Sequence, residues 1–275
     1  MALRLGTHLM SLHDQLLFEP LSRRVRCSLD GTPVCDTTSP VLVWETRRVV
    51  PMYAVPEDDV LVELVAAAPA PIPDGLPPLL GPVHFEVHLD PGDPLDVRAG
   101  ERVVEQAAFR PADPDLAGYV VLDWSPFDWR EEEQPVLGHP HDVFKRIDVL
   151  PSSRHVVVAL GGVTLAETTR ALVLHETMVP PRWYVPPDDV RTDHLVPSPS
   201  RTICAYKGHA TYWSLAGDRP GGQDLAWTYR APLHDAAAVK DHVAFYNERV
   251  DLTVDGDLLA RPRTPWSSPA DQERY

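Results

Sequence analysis

The stretch R-H-V-V-V-A-L-G-G-V-T-L-A-E-T-T-R-A-L-V-L-H-E-T-M-V-P-P-R-W-Y-V-P-P-D-D-V, Arg154 to Val190, decides the fold class. Arg154 to Leu160 is a short β-branched run and Gly161-Gly162 suits a tight hairpin turn. Val163 to Glu167 leads back, and Ala171 to Thr177 forms a further run, so three short strands are expected. Pro180, Pro181, Pro186 and Pro187 cannot donate to a sheet ladder and mark the connection that follows. Pro-Asp-Asp-Val with Arg191 to Val196 then reads as a brief helical turn. Further on, Thr202 to Ser214 and Asp224 to Tyr229 read as strands around a Gly217 to Gly222 loop, and Val243 to Tyr246 as a last one.

The same order of signals occurs earlier in the chain. Arg24 to Val60 contains R-V-R-C-S-L-D-G, Thr37-Thr38, V-L-V-W-E-T and P-M-Y-A-V-P-E-D-D-V. The offset between the two stretches is 130 at Gly31/Gly161, 131 at Glu45/Glu176 and 130 again at Asp59/Asp189. Phe109-Arg110-Pro111 also answers Tyr229-Arg230-Ala231-Pro232, and Gly118 to Leu122 answers Asp241 to Phe245. An internal repeat of this kind predicts two tandem copies of one small domain. The copies are expected at residues 1–135 and 136–260, packed against each other through their sheets, with a loose Pro/Ser-rich tail at 261–275. Asp128 to Asp142 reads as the linker.

Proline numbers 30 of 275 residues, about twice the ~5% of average usage. Long helices are therefore not expected, and only Glu57 to Ala68 reads as one. The fold class is mainly β with short helical segments. Hydrophobic residues at 44% and charged residues at 24% support a buried core. No run approaches the roughly 18–20 apolar residues of a membrane helix. His8, His13, Asp14 and Glu19 interrupt the start where a signal peptide would be apolar, so a cytoplasmic protein is expected. A net charge of −15 argues against nucleic acid as partner, because phosphate binding relies on clustered Lys and Arg. Cys27, Cys35 and Cys204 form no C-x-x-C pair and read as reduced thiols.

The densest reactive cluster is Thr202, Cys204, Tyr206, Lys207, Gly208, His209 and Tyr212. On a strand Thr202, Cys204 and Tyr206 would point one way and Lys207 and His209 the other, until a bend at Gly208 brings the sets together. A lysine among aromatic rings either has a lowered pKa and acts as nucleophile or base, or stays charged and clamps a carboxylate or phosphate. Only Lys145, Lys207 and Lys240 exist in the chain. Glu176, at the end of an apolar run, can serve as base or orienting acceptor. Lys207, Glu176 and Tyr206 are the candidate catalytic groups. Tyr184, Thr202, Cys204, Tyr212, Trp227 and Tyr229 are the candidate walls of a small-molecule pocket. In the first copy, His84-Phe85-Glu86-Val87-His88 would place His84, Glu86 and His88 on one strand face, a possible metal set.

The succession G-G-V-T-L-A-E-T, L-H-E-T, Y-V-P-P-D-D-V, T-I-C-A-Y-K-G-H-A-T-Y-W, A-W-T-Y-R-A-P and V-A-F-Y-N-E-R resembles the DUF427 family, a bacterial and fungal domain of unknown function. The resemblance is dense over Arg154 to about Asp255 and thin over Arg24 to Trp129. It implies a tent-like bent β-sheet in each copy. The family has also carried a nucleotidyltransferase label, and that chemistry needs paired aspartates on a strand to hold two metal ions. Here Gly161-Gly162 is followed by Leu174-His175-Glu176, with one carboxylate. The sequence requires no cofactor. It supports a small anionic or carbonyl-containing ligand held in the second copy. Two other readings are a non-catalytic protein-interaction module and a metal protein using His84, Glu86 and His88.

Overall fold

β-Branched and aromatic runs bounded by Pro, Gly and Asp become short antiparallel strands in the computed structural model, which describes residues 2–217, 221–264 and 266–267. The chain divides into two units, Met1–Val143 and Phe144–Tyr275. The first begins with a helix, α1 (Leu5–Ser11). Its strands are β1 (Leu17–Pro20), β2 (Val25–Leu29), β3 (Thr32–Thr37), β4 (Val41–Trp44), β5 (Met52–Pro56), β6 (Glu63–Ala66), β7 (Gly92–Ala99), β8 (Arg102–Pro111), β9 (Tyr119–Leu122), β10 (Asp128–Glu131) and β11 (Gln134–Pro135). They form a seven-stranded sheet in the order β1-β4-β5-β9-β8-β7-β6 and a four-stranded sheet in the order β11-β10-β2-β3. Val25, Cys27, Leu29, Val34, Cys35 and Trp129 of the small sheet pack on Leu42, Tyr53, Val55, Val97, Val120 and Leu122 of the large one. The alternate residues Val41, Val43, Met52, Ala54 and Val121 face the other way, under Phe85 and Leu116. Both faces of the large sheet are therefore covered, which is why β4 is an unbroken apolar run.

The second unit repeats this plan strand for strand. Its strands are β12 (Ile147–Pro151), β13 (Val156–Leu160), β14 (Val163–Thr168), β15 (Leu172–Glu176), β16 (Val179–Val185), β17 (Leu195–Cys204), β18 (Gly208–Leu215), β19 (Ala226–Tyr229), β20 (Val243–Phe245), β21 (Asp251–Val254) and β22 (Asp257–Leu258). The large sheet runs β12-β15-β16-β20-β19-β18-β17 and the small one β22-β21-β13-β14. Val156, Val158, Leu165, Val173, Trp183, Val185 and Phe245 fill the space between the sheets. Leu174, Tyr184, Ala210, Tyr212, Trp227, Tyr229 and Ala244 form a second apolar layer on the outer face of the large sheet.

Sheet register corrects several expectations. Val25 pairs with Thr37 as Val156 does with Thr168, and Leu29 with Thr32 as Leu160 does with Val163. Gly31 thus corresponds to Gly162, and Asp30 (φ 49°) takes the left-handed place of Gly161 (φ 58°). One offset holds from Val25 through Glu45, and it changes once, between β4 and β5. Phe109 lies opposite Val121 as Trp227 lies opposite Ala244, so Phe109 corresponds to Trp227 and not to Tyr229.

Glu57 to Ala68 is not a helix. Glu57–Asp59 makes a single 3-10 turn and Glu63–Ala66 is drawn into β6 by pairing with β7. Asp128 to Asp142 is not a free linker either, since β10 pairs with β2 and buries Trp129 and Glu131. Pro180 and Pro181 lie inside β16, between the paired residues Val179 and Arg182, where the irregular register beside Leu174 and Glu176 spares their missing donors. Thr202 to Ser214 is a hairpin, β17 to β18 with Ala205–Lys207 at its tip, and not one bent strand. Of the expected loose tail, Thr264 and Ser267 are buried against the second unit, while residue 265 and residues 268–275 lie outside the described residues.

Candidate functional site

The outer face of the second unit's large sheet collects most of the reactive residues that the sequence singles out. Cys204 pairs with Gly208 and Thr202 with Ala210, so both side chains share the face of Ala210 and Tyr212. The Thr202 hydroxyl lies 2.8 Å from the Tyr212 hydroxyl. Tyr184 is fully buried and its hydroxyl accepts the Trp227 Nε1–H at 3.1 Å. Trp227 also meets Tyr246 at a centroid distance of 4.6 Å. Burial pushes the Tyr184, Tyr229 and Tyr246 hydroxyls up, so all remain protonated donors.

At one end of this layer Lys207 turns back over the sheet. The left-handed backbone of Gly208 (φ 87°) closes the hairpin and sends the ammonium to the Cys204 side instead of the side of His209, which is exposed. Lys207 Nζ donates to Glu176 Oε2 at 2.5 Å, and both side chains are about nine-tenths buried. Lys145 Nζ lies 3.4 Å from the other oxygen of Glu176 and donates to the Thr177 carbonyl at 2.9 Å. Two ammonium groups thus share one carboxylate. Burial pulls Lys207 down, but the Cys204 thiol and Glu176 outweigh it and hold the amine above its ordinary value. Burial likewise pushes Glu176 up, and Lys207 with Lys145 reverses the shift, so the carboxylate stays ionised. Tyr206 is buried within the same turn.

At the other end Arg182 and Glu248 form a buried bidentate pair at 2.6 and 2.7 Å. The guanidinium lies over Trp227, Tyr246 and Trp266, and Thr264 donates to Glu248 at 2.6 Å. Sequence reading missed Arg182, Glu248 and the role of Lys145. A charged residue set between a proline pair and an aromatic pair, P-P-R-W-Y, was the available signal for Arg182.

Residues 17–70 and 148–256, together more than half of the chain, match the family described as a domain of unknown function, DUF427. The chain belongs to this family. No curated protein matches it. The first DUF427 match ends at residue 70, close to where the two units part company. Ala66 occupies the place of Pro197. Beyond it the second unit extends β17 to the Lys207 hairpin, whereas the first leaves the sheet for residues 67–91.

That segment returns across the outer face and supplies a different cation. His88 Nδ1 lies 3.0 Å from Glu45, the counterpart of Glu176, and Nε2 lies 3.2 Å from Asp123. Its ring stacks on Phe109 at 4.2 Å, and fully buried Arg48 donates to the same Glu45 at 3.1 Å. Burial alone would lower His88, yet its bonds to Asp123 and Glu45 raise it to about 9. Residues 84–88 are not a strand, so His84, Glu86 and His88 do not share a face. His84 Nδ1 accepts the Gly81 N–H, and Glu86 is exposed. Among the described residues no three His, Cys, Asp or Glu side chains are grouped to hold a metal ion. Among the described residues the ion partners of Glu176 are the two lysines, Lys145 and Lys207, and not a second carboxylate.

Proposed function

We propose that the second unit binds a small anionic or carbonyl-bearing molecule at the hairpin end of its aromatic face. The observation that carries this reading is the shared carboxylate. Lys207 and Lys145 together place one more positive than negative charge around Glu176, in a site largely screened from water. A low local dielectric strengthens the attraction of such a site for an anion. Lys207 stays charged and acts as a clamp, Glu176 fixes its direction, and Tyr206 and the half-exposed Cys204 stand beside it. Thr202, Tyr212, Tyr184, Trp227 and Tyr229 supply hydroxyl and ring contacts along the same face.

The two units are read as tandem copies of one domain, supported by their identical strand orders and matching hairpin turns. In the first copy the chain itself occupies the corresponding place, with His88 and Arg48 neutralising Glu45. Only the second copy therefore presents the clamp to a ligand, and one ligand is bound per chain.

Thermal unfolding with a panel of small carboxylates, 2-oxo acids and phosphates tests this. A ligand present at 100 times its Kd stabilises the unit that binds it by about 2.7 kcal/mol. At least one panel member is expected to raise the unfolding midpoint of the wild type and to leave folded Lys207→Met unmoved. A panel with no effect on the wild type, or an equal effect on both proteins, overturns the reading.

A further inference from the structure

The second unit also carries an open groove of about 500 Å³ on the side where its two sheets meet, away from the Lys207 face. Trp183 and Val173 of the large sheet and Leu252 of the small sheet line it, with His175, Asn247 and Arg154 among its polar groups. Register shows how the groove arises. His175 takes the place of Trp44, Asn247 that of Trp124 and Leu252 that of Trp129. In the first unit Trp44 belongs to the same buried cluster as Tyr53 and Trp129, Trp124 is stacked on Trp129 at 5.7 Å, and Trp129 lies 5.0 Å from Tyr53. Three large rings in one copy have become three smaller side chains in the other, while the floor ring is kept, as Tyr53 in the first and Trp183 in the second.

We infer that this groove is a second binding site, specific for a planar aromatic ring bearing one anionic group, and independent of the site at Lys207. The missing volume has the shape of stacked rings, because rings fill it in the sister unit. A ring entering it covers the exposed apolar surface of Leu150 and Leu259 above the nearly buried Val173, Trp183 and Leu252, which drives binding. The anionic group is directed by Arg154. Its guanidinium lies 5.9 Å from the Trp183 ring centroid and uses Nε on Asp255 at 2.6 Å. The terminal guanidinium nitrogens take no acceptor among the described residues, and Arg154 lines the groove, so a positive fork is available at its edge. The charged and titratable neighbours are His175, Asp255 and the ion pair of Arg261 with Asp251. Asn247 Nδ2 donates to the Pro181 carbonyl at 2.8 Å and fixes one wall.

Ligand-observed NMR on the full chain with indole-3-carboxylate and neutral indole as probes tests the inference. Both are expected to bind the wild type at one site, the carboxylate more tightly. Arg154→Gln is expected to weaken the carboxylate roughly tenfold, the scale of one charge-assisted hydrogen bond, and to leave indole unchanged. Leu252→Trp, which restores the ring of the first unit, abolishes both. Asn247→Trp, at a half-exposed position, does the same if Leu252→Trp does not fold. Lys207→Met leaves both probes bound, which separates this site from the anion clamp. The inference is overturned if neither probe binds the wild type at millimolar concentration, if Arg154→Gln affects the two probes alike, or if a folded groove-filling variant binds as the wild type does.

Discussion

Raising the pH should unlock the first unit through one imidazolium. His88 is buried between Glu45 and Asp123, beside Arg48 and under Phe109, and its pKa rises from 6.5 to about 9. Between these values the folded state holds a proton that the unfolded state has released. The stabilisation is therefore complete below pH 6.5, falls through the interval and is gone above pH 9. At 1.36 kcal/mol per pH unit the shift corresponds to roughly 3 kcal/mol. Urea unfolding followed by tryptophan fluorescence, at a series of pH values from 6.5 to above 9, reads this directly. The first unit of the wild type should lose most of that amount, and His88→Gln should be nearly flat over the same range. A wild type whose unfolding free energy does not change between pH 6.5 and 9, or a His88→Gln variant with the wild-type slope, refutes the assignment.

Removing Glu176 should cost more than removing Lys207. Glu176→Gln strands two ammonium groups, a loss of about 3–5 kcal/mol, whereas Lys207→Met leaves the carboxylate with Lys145. Chemical denaturation of the two variants should rank them in that order, and the reverse order would remove Lys145 from the cluster. Arg182→Met leaves Glu248 buried with Thr264 as its remaining side-chain partner, so it should destabilise the second unit by a similar ~3–5 kcal/mol and expose the chain around Thr264 to proteolysis. Intact cleavage resistance would contradict that anchoring role. A thiol reagent should modify Cys204 in the native protein and reach Cys27 and Cys35 only after unfolding, since those two are buried and face each other at 3.3 Å across β2 and β3. Native modification of three thiols would contradict it.

The β class was legible because local and tertiary signals agree. Alternating apolar residues, Gly161-Gly162 and the many prolines all favour short strands. The misreadings fall where tertiary contacts overrule local ones. Glu63–Ala66 belongs to a run with helical propensity, but strand pairing with β7 decides its conformation. The charges of Arg130 to Glu133 hide the alternation that buries Trp129 and Glu131 in β10. Sequence pairs Gly31 with Gly161, one place off, because Asp30 adopts the left-handed dihedrals that glycine supplies in the second unit. At the site, sequence order brought Lys207, Cys204, Tyr212 and Glu176 forward as a group. It could not show the side on which Lys207 lies, because three hairpin residues reverse the strand parity. Nor could it show that His88, forty-three residues after Glu45, completes the first unit's counterpart of the same pair.

The ammonium resonance of Lys207, observed by ¹⁵N–¹H NMR on the full chain and assigned by its loss in Lys207→Met, probes the anion clamp itself. A protonated, slowly exchanging ammonium is expected at neutral pH, with a signal that moves saturably, at one ligand per chain, on addition of a small carboxylate, 2-oxo acid or phosphate. A signal lost to rapid exchange with solvent, or one that no such anion moves at millimolar concentration, would contradict it.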